Sequence, residues 1–141
     1  MHIGRLLRRP ATIMLEEVHN RLHEIGYPDI KPAHGAVFSY IGEGAQVTQM
    51  SQMALTSKQN MSYLVDYLQE RGYVESYEHR NDGRAKMFRL TPRGKKCKQK
   101  TIEIIEAISM EWEVKLGKKK MHDLMKMLEE LNKVLEGGMP F

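Results

Sequence analysis

Between Gly72 and Leu90 the apolar residues of this chain change their period. Before Gly72, Met61, Leu64, Val65 and Leu68 recur at steps of three and four, the one-sided stripe of an amphipathic helix. After it, Tyr73-Val74-Glu75-Ser76-Tyr77-Glu78 and Ala85-Lys86-Met87-Phe88-Arg89-Leu90 read as two short strands. Asn81-Asp82-Gly83 lies between them, and Asn and Gly tolerate the positive φ that a tight reversal needs. A helix that runs straight into a hairpin predicts a mostly α fold with one small β element.

The remaining segments are helical in pattern. Leu15, Val18, Leu22 and Ile25 place a first helix between Pro10 and Gly26, stopped by Gly26-Tyr27-Pro28. A short second helix is expected with Pro32 in its first turn, ended by Gly42 to Gly44. Val47, Met50 and Met53 with Ala54 mark a very short third one, and Leu55-Thr56-Ser57 is a turn. Ser57 or Thr56 can cap the next helix, and Thr56 with Gln59 has the spacing of a capping box. Thr91-Pro92 starts another helix, with Thr as cap and Pro at the first position. It carries Cys97, Thr101, Ile104, Ile105, Ile108 and Trp112 on one side, to about Leu116. After Gly117, Met121, Leu124, Leu128, Leu131 and Leu135 repeat at three-four steps, like a coiled-coil seam. The expected layout is one domain over residues 1–141. A winged helix-turn-helix lobe spans about 31–91, flanked by dimerisation helices at about 5–27 and 92–136.

Charge is concentrated rather than large. The formal net charge is +4, yet Ser76 to Lys100 holds nine Arg or Lys against Glu78 and Asp82, a local net of +7. Arg5, Arg8 and Arg9 form a second acid-free cluster. Such local excess is the electrostatic footprint of a polyanion binder, set against the plainer reading of a solvated lysine-rich surface. No apolar run approaches the ~18 residues of a membrane span, and the basic start lacks the apolar stretch of a secretory signal. One cysteine cannot form an internal disulfide framework. A cytoplasmic location with no membrane partner is expected.

A helix-turn-helix presents the front of its second helix to a DNA major groove. Lys58, Gln59, Ser62, Tyr63 and Asp66 lie away from the apolar stripe, and Ser57, Lys58, Gln59 and Asn60 form the first turn. Gln and Asn can bond adenine bidentately, Ser suits several partners, Lys reaches guanine or phosphate, and Tyr63 reaches a thymine methyl or a phosphate. Arg84, just past the turn, can enter the adjoining minor groove, where negative potential draws guanidinium groups. Asp82 either holds Arg84 straight or is an ordinary turn residue. Arg80, Lys86 and Arg89 suit phosphates, which add affinity but little sequence information.

The stretch from Leu55 to Gly94 resembles the recognition helix and wing of the MarR family of bacterial transcriptional regulators. The family's wing has an Asp, one residue, then Arg, followed by a strand and Leu-Thr-Pro-x-Gly. Asp82-Gly83-Arg84 and Leu90-Thr91-Pro92-Arg93-Gly94 stand at those places here. The flanking helices match in order and length, so the resemblance spans nearly the whole chain. It implies a homodimeric repressor or activator of double-stranded DNA, with a pocket for a small apolar or aromatic effector between the DNA-binding lobe and the dimer helices.

Dimerisation is also expected from magnitudes. Ile104, Ile108, Trp112, Leu124, Leu128 and Leu131 lie outside the winged-helix unit, and each large side chain, once buried, contributes ~1.5–3 kcal/mol. Leaving them wet would forgo a sum that rivals a domain's whole stability, so a C2 interface is expected. Four lysines around Cys97 invite a redox reading, but its register with Ile104 and Ile108 fits a buried small hydrophobe. His19 and His23, four apart, can chelate a metal with His34 or a nearby Glu, yet no zinc-binding spacing supports a site. No Gly-rich phosphate loop, nucleophile elbow or paired-carboxylate motif occurs, so neither catalysis nor a cofactor is expected. The rival reading is a winged helix for protein interaction or for non-specific architectural DNA binding.

Overall fold

The computed structural model describes residues 2–79 and 82–136, of 79 and 82–85 the backbone alone. Its elements are helix α1 (Ile3–Glu24), a 3₁₀ turn (Pro32–His34), α2 (Gly35–Tyr40), α3 (Val47–Met53), α4 (Lys58–Glu70), strands β1 (Val74–His79) and β2 (Asp82–Leu90), α5 (Pro92–Leu116) and α6 (Lys118–Glu136). The mostly α fold with a two-stranded antiparallel wing is the one expected.

One helix starts earlier than its sequence pattern suggested. α1 begins at Ile3, before Pro10, so Pro10 is an interior residue. Proline is costly inside a helix because it lacks an N–H and crowds the preceding turn. Here the segment ahead of it has its own start: the His2 Nδ1 accepts from the Arg5 N–H at 3.3 Å. Ile3, Leu6 and Leu7 then continue the apolar step of the later turns.

The core gathers under the winged helix. Val37, Met50, Met61, Val65, Leu68 and Tyr73 are fully buried, with Leu22 of α1 and Ile108 of α5 closing the cluster from above. α3 packs on α4, α1 on α5, and β1 continues from α4. β1 pairs with β2 from Val74 opposite Leu90 to His79 opposite Asp82, with an irregularity at Glu78 and His79. A third short edge is added by Ala45, whose backbone exchanges two hydrogen bonds with Phe88.

Two chain reversals explain why the winged-helix lobe and α5 meet. Gly72 (φ 82°) ends α4 and turns the chain so that the Tyr73 N–H bonds the Leu68 carbonyl. Thr91 then fastens the return: its N–H bonds the Tyr73 carbonyl, and its hydroxyl donates to the Gly72 carbonyl and accepts from the Gly94 N–H. A Cβ at Gly94 would overlap the Tyr73 carbonyl, so only glycine fits there. The Thr-Pro-x-Gly spacing is therefore a weld between the end of α4 and the start of α5.

Among the described residues no helix is long and apolar enough to cross a membrane, and no group of His, Cys, Asp or Glu could hold a metal ion. His19 instead faces the Ile30 carbonyl through Nδ1 at 2.5 Å.

Candidate nucleic-acid interface

The front of α4 is built by capping. The Ser57 hydroxyl accepts from the Asn60 N–H at 3.0 Å, so Ser57 is the cap. The Asn60 amide in turn donates to the Thr56 hydroxyl at 2.9 Å, a contact that replaces the anticipated Thr56–Gln59 box. Leu55 sits in the turn at φ 54°, a left-handed conformation uncommon for a residue with a side chain. With Met61, Leu64, Val65 and Leu68 inward, Lys58, Gln59, Asn60 and Tyr63 are all exposed, Tyr63 at 68%. Ser62 is half-buried beside them. The structure thus gathers Ser57, Lys58, Gln59, Asn60, Ser62 and Tyr63 on one face and leaves Lys58 and Gln59 free of partners among the described residues.

The wing is partly accounted for. Lys86 is exposed, its Nζ 5.7 Å from the Phe88 ring centre. Arg80 lies outside the described residues, as do the side chains of Asp82 and Arg84. Arg89 departs from the phosphate role expected of it. Its Nε donates to the Glu75 carboxylate at 3.0 Å, and its guanidinium lies 4.5 Å from the Tyr77 ring centre. Glu75 lies opposite Arg89 in the hairpin and Tyr77 diagonal to it, so Arg89 stiffens the wing with a charge already balanced.

A polar cluster behind α4 had no signature in the sequence. Asp29, in the loop after α1, accepts the Tyr73 hydroxyl at Oδ1 (2.7 Å), while its carbonyl accepts the Tyr67 hydroxyl (2.6 Å). Arg93 of α5 donates to the Tyr73 oxygen at 2.8 Å and lies 3.8 Å from the Asp29 carboxylate. Burial pushes the Tyr73 hydroxyl up to about 12, which keeps its proton available to Asp29. These partners are separated by 20 to 44 positions, so no local motif announces them.

His34 belongs to the same region. It is 3% exposed, accepts the Lys31 N–H at Nδ1 (2.9 Å) and stacks on Tyr67, ring centres 4.4 Å apart. Burial, then the cations of Lys31 and Arg71, push it down to about 4, with Asp29 opposing and His19 adding slightly. The imidazole therefore stays neutral in the fold at pH values where the unfolded chain would protonate it. Its contribution to stability is complete above about pH 6.5 and is lost as pH falls toward 4, on the order of 2–3 kcal/mol. Urea titrations at pH 7 and 4.5 check this: replacing His34 by Gln is expected to shrink the stability difference between the two pH values by that amount.

Cys97 is fully buried, and burial raises its thiol to about 11. A thiol so raised is not a reactive thiolate, so the four nearby lysines do not make it a redox centre.

A cavity of about 520 Å³ opens between α1, the 31–40 segment and α5, walled by Met14, Leu22, Phe38, Ile102 and Ile105. It reaches Ala54 at the end of α3, and Lys31 and Lys98 are among its few polar residues. Its size is that of a small-molecule site.

The residues expected at a dimer interface divide. Leu124 is 39% exposed, and Leu128 and Leu131 are half-buried, on a helix with no buried residue at all. Ile104 and Trp112 are half-buried against the core. Ile108 departs from the expectation: at 1% exposure it is used up inside the protomer. It lies where α5 crosses α1, a contact made also by Arg21, which bonds the Glu111 carboxylate at 2.9 Å. Ile3, Leu6 and Leu7, at 65%, 53% and 42%, are exposed apolar positions that the sequence reading had not singled out.

Comparison with known proteins agrees with this geometry. A sequence model described as MarR family matches residues 29–85, the 3₁₀ turn through the first part of β2. No curated protein matches the chain in sequence. Among solved structures it is similar to wild-type apo MarR from E. coli, with a TM-score of 0.78 and 17% identity over 93% of this chain and 97% of that one. The transcriptional regulator Tm0710 from Thermotoga maritima gives 0.64 at 26% identity, covering 96% and 94%. A mutant E. coli MarR complexed with operator DNA gives 0.75 at 17% identity, covering 92% of each chain. Residues 29–85 thus match the MarR family model, and the winged helix fold is shared with these structures along nearly the whole length of the chain.

Proposed function

We propose that the protein is a homodimeric transcriptional regulator that binds a pseudo-palindromic operator in double-stranded DNA and acts as a repressor released by a small apolar or aromatic effector. The observation that carries this reading is the exposed front of α4 from Ser57 to Tyr63, set beside a hairpin whose Lys86 is also exposed. Direct readout falls to Lys58 and Gln59, with Ser57, Asn60, Ser62 and Tyr63 shaping the approach. Arg84 is assigned to the minor groove, with Asp82 either orienting it or serving the turn, and Arg80 and Lys86 to phosphates. The operator-bound relative supports DNA as the partner. The cavity between α1 and α5 is the effector site: an occupant would touch both the dimer helices and, at Ala54, the helix-turn-helix.

Selection of bound fragments from genomic DNA by the purified protein tests the proposal. The expected product is a paired-half-site sequence bound ~10³-fold or more tightly than unrelated duplex at the same salt. Equal affinity for all duplexes would favour an architectural role, and no DNA binding at all would favour protein interaction.

A further inference from the structure

The cluster at Asp29 joins three parts of the molecule that must move together if two recognition helices are to fit one operator. Tyr67 belongs to α4, Tyr73 directly follows it, and Arg93 stands in the first turn of α5. All three converge on one residue of the loop after α1: Tyr67 through the Asp29 carbonyl, Tyr73 through Oδ1, and Arg93 through Oδ2 and through the Tyr73 oxygen. The Tyr73 ring is fully buried, so its hydroxyl has a fixed direction, and the Arg93 guanidinium lies 4.5 Å from the ring centre. Charge-assisted bonds of this kind have narrow geometry.

We infer that Asp29 is a positioning residue: it sets the angle between the recognition helix α4 and the dimer helix α5, and with it the half-site spacing that the dimer accepts. The inference rests on the regulator reading above. Asp29 touches no DNA. It adds to the Thr91 weld by bracing α4 and the first turn of α5 against the loop after α1, which fixes the angle of that joint, so the second half-site is met without further ordering. Tethering two sites in register multiplies affinity by ~10²–10⁴, and a slack joint forfeits part of that gain.

The test compares a full operator, obtained by selection with the wild-type protein, with a duplex carrying one half-site. Asp29→Ala is expected to weaken the full operator by about tenfold or more while changing half-site affinity by less than about threefold. It should also flatten the penalty for inserting one base pair between the half-sites. Asp29→Asn, whose amide oxygen still accepts from Tyr73, should recover most of the loss. Tyr73→Phe keeps the buried ring and removes only the bridging hydroxyl, so it should behave like Asp29→Ala even if that variant folds poorly. Equal losses on half and full sites, or unchanged spacing preference in both variants, would overturn the inference and leave the regulator reading intact. A wild-type selection without paired half-sites would overturn both.

Discussion

Raising monovalent salt from about 50 to 200 mM is expected to weaken operator binding by ~10⁴-fold, from a slope near −7 in log affinity against log salt. The figure follows from which cations remain available. Arg21 is tied to Glu17 and Glu111, Arg89 to Glu75, Arg93 to Asp29, Lys100 to Glu103 and Lys119 to Asp123. Arg71 lies flat on the Tyr67 ring, 3.4 Å from its centre. Among the described residues this leaves Lys58 and Lys86 on the DNA side; with the contacts proposed above for Arg80 and Arg84, the count is about four phosphate or groove contacts per protomer and eight per dimer. Equilibrium binding by fluorescence anisotropy across a salt series measures the slope. Lys86→Gln should reduce it by about 2, one contact from each protomer. Arg89→Gln should leave it nearly unchanged, because that charge is already balanced by Glu75. A flat titration would remove the wing from the interface, and equal effects of the two variants would mean that the Arg89–Glu75 pair opens on DNA.

That contrast also shows where the sequence was readable. The stripe from Met61 to Leu68, the Thr91 cap and the change of period at Gly72 are local signals, and each appears in the fold where the spacing put it. The exposed face from Ser57 to Tyr63 follows from the stripe alone, because a helix with one buried side has its other side fixed. Pairings between distant residues were not readable in this way. Glu75 and Arg89 become neighbours only when the hairpin register is known, and Asp29 meets Tyr67, Tyr73 and Arg93 only when the lobe is docked on α5. Two of the departures share one cause. Pro10 looked like a helix start and Ile108 like dimer surface because both were judged from their own segments. Their surroundings decide otherwise: a capped turn ahead of Pro10 continues the helix, and Ile108 joins the core cluster that holds Val18 and Leu22 of α1.

Replacing Leu128 and Leu131 together by Glu is expected to give a folded monomer that binds a full operator ~10²–10⁴-fold more weakly than the wild type. α6 has apolar residues at 121, 124, 128, 131 and 135 and none is buried within the protomer. α1 presents Ile3, Leu6 and Leu7 to solvent at the same time. Covering a large apolar side chain is worth ~1.5–3 kcal/mol. Even at half that value for partly covered residues, the seam and the start of α1 together offer stabilisation comparable with a domain's ~5–15 kcal/mol. A second copy of the chain would cover these surfaces with a symmetric contact, whereas the core around Val37, Met61 and Tyr73 does not depend on them. The charged variant should therefore keep its helical content and its half-site affinity while losing the tether between half-sites. Sedimentation equilibrium gives the mass, and anisotropy on full and half operators gives the two affinities. If the variant sediments as a monomer and still binds the full operator as tightly as the wild type, the two half-sites are not held by one dimer. If it remains a dimer, α6 is not the surface that joins the copies, and the exposed start of α1 would have to carry the contact without it.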